Sequence, residues 1–458
     1  MSKVITKEDI ANMTPEEKKN LAESMLNPVK ICRPHTVEEH NAALKQANPR
    51  WTEEQLKPYL CANSKMQVVY TGEDMPTSFT KSLFLAGPTP RNKEEQESWR
   101  PDALDILRDK GYDGVVFVPE GRDGKFKMDY DDQIAWEEKY LNIADCILFW
   151  VPRDLTPDSK GYPKMAAFTT NVEFGTWQDS GKIVFGAPLQ ATKNGYLKYY
   201  ADKYNVPVAD TLTETIGLAM GMIGEGAERS GGERYVPIFV WKLESFQNWY
   251  NIQKEAGNVL EDARLLFNFR PAYKDWVFLW ILQVNIYVSE EDRYKTTDFV
   301  MARPDISSVL MYRKSSRWEN SQIILVKEYR PTASTPDGFV HELPSGSSHK
   351  SEDTTEIAVK EVHEETGFYL SSERLQTHES RQMVATLSAH KSHLFSVELT
   401  DEEVEWFKSQ KDIAHGIEKD SEKTFVEVRA IQEILDNNLV DWSTLGMIFS
   451  MLYSRTYL

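Results

Sequence analysis

Cysteine is scarce: Cys32, Cys61 and Cys146 stand far apart in a chain of 458 residues. Three such residues make neither a disulfide framework nor a zinc pattern. No run of about eighteen apolar residues, the length needed to span a bilayer, occurs in the sequence. The opening stretch, MSKVITKEDIANMTPEEKK, lacks the apolar core of a signal peptide. Positive charge is in deficit, with 53 Lys and Arg against 71 Asp and Glu and a net charge of -18. A surface that acidic excludes general binding to the nucleic acid backbone, which needs a basic face. Low-complexity tracts are missing too. Together these absences lead us to expect a soluble cytoplasmic protein in a reducing compartment, with no membrane and no nucleic acid partner. The length accommodates two or three domains with substantial cores.

The most informative stretch runs from Gly346 to Phe368, GSSHKSEDTTEIAVKEVHEETGF. Helical spacing places Glu361, Glu364 and Glu365 on one face, at i, i+3 and i+4. Three like charges so close weaken a helix unless a cation sits against them. A hard dication, Mg²⁺ or Mn²⁺, suits carboxylate oxygens. Leu343-Pro344-Ser345-Gly346 before the segment and Gly367 after it bound a loop–helix–loop unit. The segment resembles the Nudix box, GX5EX7REUXEEXGU, where U is a bulky aliphatic residue. Gly346, Glu352, Glu361, Val362, Glu364, Glu365 and Gly367 match, as does Phe368 if an aromatic is accepted at the last position. Lys360 replaces the family's Arg and cannot make its bidentate fork.

Residues 79–265 read as an α/β domain. Apolar runs at Ser82–Ala86, Gly114–Pro119, Cys146–Val151, Lys182–Ala187 and Tyr235–Trp241 alternate with helical patterns near 93–110, 131–142, 170–180 and 211–222. Short continuous apolar strands between helices predict a parallel sheet of flavodoxin or Rossmann type, covered on both faces. Ligands of such sheets bind beyond the carboxyl ends of the strands. Gly87 and Arg91 follow the first strand and Arg153 and Asp154 the third, so these are the candidate substrate-binding residues. Thr169-Thr170-Asn171-Val172-Glu173-Phe174-Gly175, leading to Gly181-Lys182, resembles the nucleoside 2-deoxyribosyltransferases in their divergent branch. So do Leu85-Ala86-Gly87-Pro88, Trp136-Glu137 and Ala144-Asp145. That resemblance makes Glu173 the nucleophile on the anomeric carbon, forming a covalent glycosyl-enzyme. A helix N-terminus would keep Glu173 ionised. Asp145 and Asp154 are the candidates for protonating the departing base.

Residues 1–78 read as a helical extension with no assignable chemistry. Residues 266–458 place the box among strands at Trp280–Tyr287, Thr297–Met301, Val309–Tyr312, Ile323–Glu328, Met383–Thr386, His393–Val397 and Thr424–Val428, with a terminal helix. This order matches the Nudix α/β/α sandwich. The EYRP and ELPSG segments resemble its ADP-ribose and nucleotide-sugar branch. The resemblance implies that Glu361, Glu364 and Glu365 hold the metal and that Arg330 meets the substrate. Glu418 or Glu422 would supply a late-loop glutamate, and Glu352 would orient the helix through Lys360. The whole reads as a bifunctional enzyme acting on small nucleosides and nucleotides. Relatives of both modules assemble as dimers or larger, which implies a homo-oligomer. The rival reading is a nucleotide sensor with little turnover.

Overall fold

Every residue of four short strands, Ser82–Ala86, Val115–Val118, Cys146–Trp150 and Ile183–Gly186, is buried. Such runs form only in a sheet covered on both faces. The computed structural model shows that sheet; it describes residues 66–90, 92, 94–122, 129–271, 276–347, 352–417 and 421–454. The helices expected in residues 1–65, together with Arg91 and Glu418, lie outside these. The chain is mixed α/β and divides into two compact units. The first holds the described residues up to Tyr140, then Cys146–Gln178 and Ile183–Glu225; the second holds Leu141–Asp145, Asp179–Lys182 and the described residues from Gly226 on.

In the first unit the strands are β1 (Gln67–Tyr70), β2 (Ser82–Ala86), β3 (Val115–Val118), β4 (Cys146–Trp150), a hairpin of β5 (Asp154–Pro157) and β6 (Pro163–Met165), β7 (Ile183–Gly186) and β8 (Val208–Ala209). The main sheet has the order β1-β3-β2-β4-β7-β8, and every pairing in it is parallel. The helices are α1 (Arg100–Asp109), α2 (Tyr130–Ile143), α3 (Phe168–Trp177), α4 (Gly195–Lys203) and α5 (Leu212–Ile223). Leu83, Leu85, Leu104, Leu107, Leu148 and Ile216 pack one face. On the other, Phe84, Phe117, Phe149 and Phe185 meet Trp136, Tyr140 and Phe174. β1 sits where the helical extension was expected to continue to residue 78. Its run Gln67-Val68-Val69-Tyr70 instead pairs in register with β3.

The second unit opens with an antiparallel meander, β9 (Val259–Phe269), β10 (Leu279–Val288) and β11 (Arg293–Ala302). Two helices, α6 (Ile238–Trp241) and α7 (Glu244–Glu255), complete this part. The expected strand Tyr235–Trp241 is a 3-10 turn over Gly231–Tyr235 followed by α6, with Pro237 at its N-cap. A short apolar run is ambiguous between strand and buried helix; here Val236 and Val240 join the core with Phe246, Leu260 and Trp280. β9 is paired along its length with β10, so this unit begins well before the boundary expected at 266.

The remaining strands, β12 (Ile306–Arg313), β13 (Gln322–Glu328), β14 (Val340–Glu342), β15 (Ser345–Gly346), β16 (Gln376–Thr377), β17 (Arg381–Gln382), β18 (Lys391–Glu398), β19 (Ala414–His415) and β20 (Thr424–Ala430), form one mixed sheet. Its path is β16-β18-β12-β13-β20-β19. The helices are α8 (Thr354–Thr366), α9 (Asp401–Ser409), α10 (Ile431–Asp436) and α11 (Trp442–Ser454). Strand alternation divides the core. Val309 and Met311 pack with Ala358 and Val362 of α8 and Phe407 of α9. Leu310 and Tyr312 pack with Ile431, Ile434, Ile448 and Met451. The sheet therefore lies between two helical layers. The expected strand Met383–Thr386 is irregular and turns back at Val384, whose carbonyl accepts from Leu387 and Ser388. Among the described residues no helix is long and apolar enough to cross a membrane.

Candidate active sites

The carboxyl ends of β2 and β3 in the first unit are tied together by a residue the sequence did not single out. Arg100 opens α1, just ahead of the Pro101 that favours a helix start, and is only 1% exposed. Its Nε donates to the Leu85 carbonyl at 3.0 Å and Nη2 to the Gly87 carbonyl at 2.7 Å. Nη1 donates to Thr89 Oγ1 at 3.0 Å and to Glu120 Oε1 at 2.5 Å. Arg100→Met is expected to leave Glu120 and three further acceptors without their cation. Removing one partner of a buried pair costs about 3–5 kcal/mol, so a urea titration should show the first unit melting early. Arg100→Lys should recover little, having no fork.

Gly87 follows β2 at φ +149°, and a Cβ there would lie 2.2 Å from the Trp150 carbonyl oxygen. Its role is therefore steric: it lets the end of β2 close against β4. Arg153, a candidate substrate-binding residue in the sequence, is buried and turned inward. Its Nη1 donates to the Lys193 carbonyl at 2.9 Å and Nη2 to Asn171 Oδ1 at 2.5 Å. It positions α3 two residues ahead of Glu173. Asp154 accepts from the Thr156 amide at 2.8 Å and its hydroxyl at 2.7 Å. Those bonds hold its carboxyl below the usual range, which suits a turn and not a proton donor. Asp145 immediately precedes β4, at the amino end of the strand, and is fully buried in an ion pair with Arg229. That placement is structural and withdraws it as the leaving-group acid.

Glu173 is half-buried in the second turn of α3, past the reach of the helix terminus. Burial pushes its carboxyl up to about 7; the nearby Glu137 carboxylate adds to the shift and Arg100 opposes it. The expected ionising effect of the helix end is outweighed. Glu137, on α2, is itself raised by burial against a 2.8 Å hydrogen bond from Gln133 Nε2 and the attraction of Arg100. Glu137 and Glu173 are thus two half-buried carboxyls under the influence of one cation, Arg100. Glu137 was legible only as the neighbour of Trp136. Its helical face, shared with Gln133 and Tyr140, was the available signal.

In the second unit, α8 starts at Asp353, whose carboxylate accepts from the Thr355 and Glu356 amides, and stops at Gly367 in the left-handed region. Glu365 is 1% exposed and accepts from the Ser345 amide at 3.0 Å. Burial holds its carboxyl well above the usual range, and Glu342, Glu361 and Glu422 push it further. Glu361 is driven up to about 7 by burial and then by Glu364, with Lys360 opposing. Gly346 makes room for it: a Cβ there would lie 2.1 Å from the Glu361 carboxyl carbon. Lys360 turns to Glu364 at 3.5 Å, so the expected orienting contact is to Glu364 and not to Glu352.

Arg330 sits among acids, 2.7 Å from Glu328 and 3.7 Å from Glu342. Glu328 is raised to about 6, chiefly by burial. Arg303, missed in the sequence, donates to Ser347 Oγ at 2.9 Å and lies 4.4 Å over the Phe278 ring. Burial, then Arg330, lowers it to about 10. Among the described residues no three Asp, Glu, His or Cys side chains are closed about one metal position. The fit to a dication lies in the charge balance. Glu342, Glu361, Glu365 and Glu422 repel one another within reach of few cations, a condition that a hard metal ion relieves.

No curated protein matches this chain. Residues 80–191 match the model of the family described as nucleoside 2-deoxyribosyltransferase like, so the chain carries a domain of that kind, and it spans Gly87, Arg100, Glu137 and Glu173.

Proposed function

We propose that the chain is a bifunctional enzyme of nucleotide metabolism. The first unit breaks or exchanges an N-glycosidic bond, and the second hydrolyses a nucleoside diphosphate derivative. The observation that carries the first half is Glu173, half-buried inside the matched domain, with its carboxyl raised to about 7 by burial and then by Glu137, against Arg100. Ionised Glu173 attacks the anomeric carbon, the carbon–nitrogen bond breaks, and the base leaves with the bonding pair. Glu137, whose carboxyl burial raises, gives that base its proton. Water or a second base then opens the glycosyl ester and returns the proton to Glu137. Because Glu173 must be ionised, base release is expected to rise about tenfold between pH 6 and pH 8. A flat profile over that range would remove Glu173 from the chemistry.

The second half rests on the Nudix-like box and the carboxylate cluster. Glu361, Glu364 and Glu365 would hold Mg²⁺ or Mn²⁺. The bound ion would neutralise the diphosphate and lower the pKa of a coordinated water. Arg330 and Arg303 hold the phosphates by charge-assisted hydrogen bonds. Glu422, facing the same carboxylates, takes the proton as water forms its bond to phosphorus and the bridging P–O bond breaks. A dinucleotide such as NAD would serve both units in turn: loss of its base gives ADP-ribose, which the second unit splits. The test is product chromatography with Mg²⁺ on nucleosides, NAD and ADP-ribose. Free base and a nucleoside monophosphate are expected, and consumption of none of them would sink the reading.

A further inference from the structure

Two imidazoles lie beside the carboxyl end of α8, near enough to influence each other electrostatically, and neither is used in the chemistry above. His363 lies in the last turn, and its ring stacks on Tyr369 with centroids 4.0 Å apart. His415 lies in β19 and rests on the capping glycine: a Cβ on Gly367 would come within 2.8 Å of its Cε1 and 3.0 Å of its Nδ1. The backbone fixes the two residues together. The Gly367 amide donates to the His363 carbonyl at 2.8 Å, and the Gly416 amide donates to the Glu364 carbonyl at 2.9 Å. Among the described residues, His363 Nδ1 and His415 Nε2 are both buried without a hydrogen-bond partner. Buried polar atoms are nearly always satisfied. Two orphans in rings packed at one turn point to a shared occupant.

We infer that His363 and His415 form a two-imidazole site for a transition-metal ion of the zinc, copper or nickel class. Neutral imidazole nitrogen suits those ions, whereas Mg²⁺ prefers oxygen, so this site and the carboxylate face of α8 select different metals. Two protein ligands leave coordination positions for water. An ion there would clip β19 to the end of α8. It would also brace the end of β19, close to where the Ile417 amide donates to Glu422 Oε2 at 3.3 Å. The inference does not depend on the hydrolytic reading.

The experiment uses full-length protein with one equivalent of Cu²⁺, in excess Mg²⁺ to occupy the carboxylates, read by electron paramagnetic resonance. Wild type should show superhyperfine coupling to two imidazole nitrogens. His363→Gln and His415→Gln should each lose one of them, and the double variant both. Zn²⁺ should raise the melting temperature of wild type and leave that of the double variant unchanged. If the copper spectrum is the same in wild type and the double variant, or lacks nitrogen coupling in wild type, the two nitrogens hold a water and the site does not exist. Each single variant keeps one ring in place, so the test survives a poorly folding double variant.

Discussion

Glu173→Gln should fold normally and lose base release by about 10³-fold or more, the scale of loss when a catalytic nucleophile is removed. The substitution keeps the side chain's volume and removes its ability to bond the anomeric carbon. Folding should not suffer, because the site already disfavours the charge: burial and Glu137 raise the carboxyl to about 7. A raised carboxyl stabilises the fold below its unfolded value near 4.5, and that contribution is lost as pH rises through 7. Wild type should therefore melt lower at pH 8.5 than at pH 6, with a smaller difference in Glu173→Gln. Glu137→Gln separates the two roles. It should lose about 10²–10⁴-fold on a substrate whose base needs protonation. A substrate with an activated leaving group, which departs without a proton, should be nearly unaffected. Equal losses on both substrates would make Glu137 a positioning residue. Asp145→Asn acts differently again: it strands Arg229 in a buried site and should appear in stability before activity.

Much of this was legible in the sequence, and the failures have physical causes. Strands β2, β3, β4 and β7 were found within a residue because a fully buried parallel strand is an unbroken apolar run with helices on either side. The same rule misread Tyr235–Trp241, where burial came from helix packing and the run was too short to show a period. β1 was missed because four residues, Gln67–Tyr70, at the edge of a helical-looking segment carry little pattern. Glu173 and the α8 glutamates stood out through fixed spacing. Arg100, Glu137 and Arg303 did not, because each acquires its role from residues far along the chain: Arg100 from Leu85, Gly87 and Glu120, Arg303 from Phe278 and Ser347. Position relative to a strand end misled in the opposite direction. Arg153 and Asp154 follow β4 as expected, yet their hydrogen bonds are spent on backbone and neighbouring side chains.

The second large effect is expected at Glu365. Without metal, Glu365→Gln should be at least as stable as wild type, since it replaces a fully buried carboxyl whose charge its surroundings disfavour. The Ser345 amide can still donate to the glutamine oxygen. Hydrolysis of the diphosphate should nevertheless fall by about 10³-fold or more, because a neutral amide contributes no charge to the metal. Stability and activity then move apart, as they do where a fold maintains repulsion for function. Mg²⁺ makes the argument quantitative. At about one hundred times its dissociation constant, an ion that binds the folded state alone adds about 2.7 kcal/mol. For a unit of this size that is about 5–10 °C in melting temperature. The shift should be larger at pH 8 than at pH 6. At the lower pH the proton on Glu361, whose carboxyl sits at about 7, competes with the ion. At the higher pH Glu361 has lost that proton, its repulsion with the neighbouring carboxyls is stronger, and the ion relieves it. Glu365→Gln should lose most of the shift at both pH values. If it retains the full shift, the ion binds elsewhere, and the carboxylates of α8 are a buried acidic cluster without a metal.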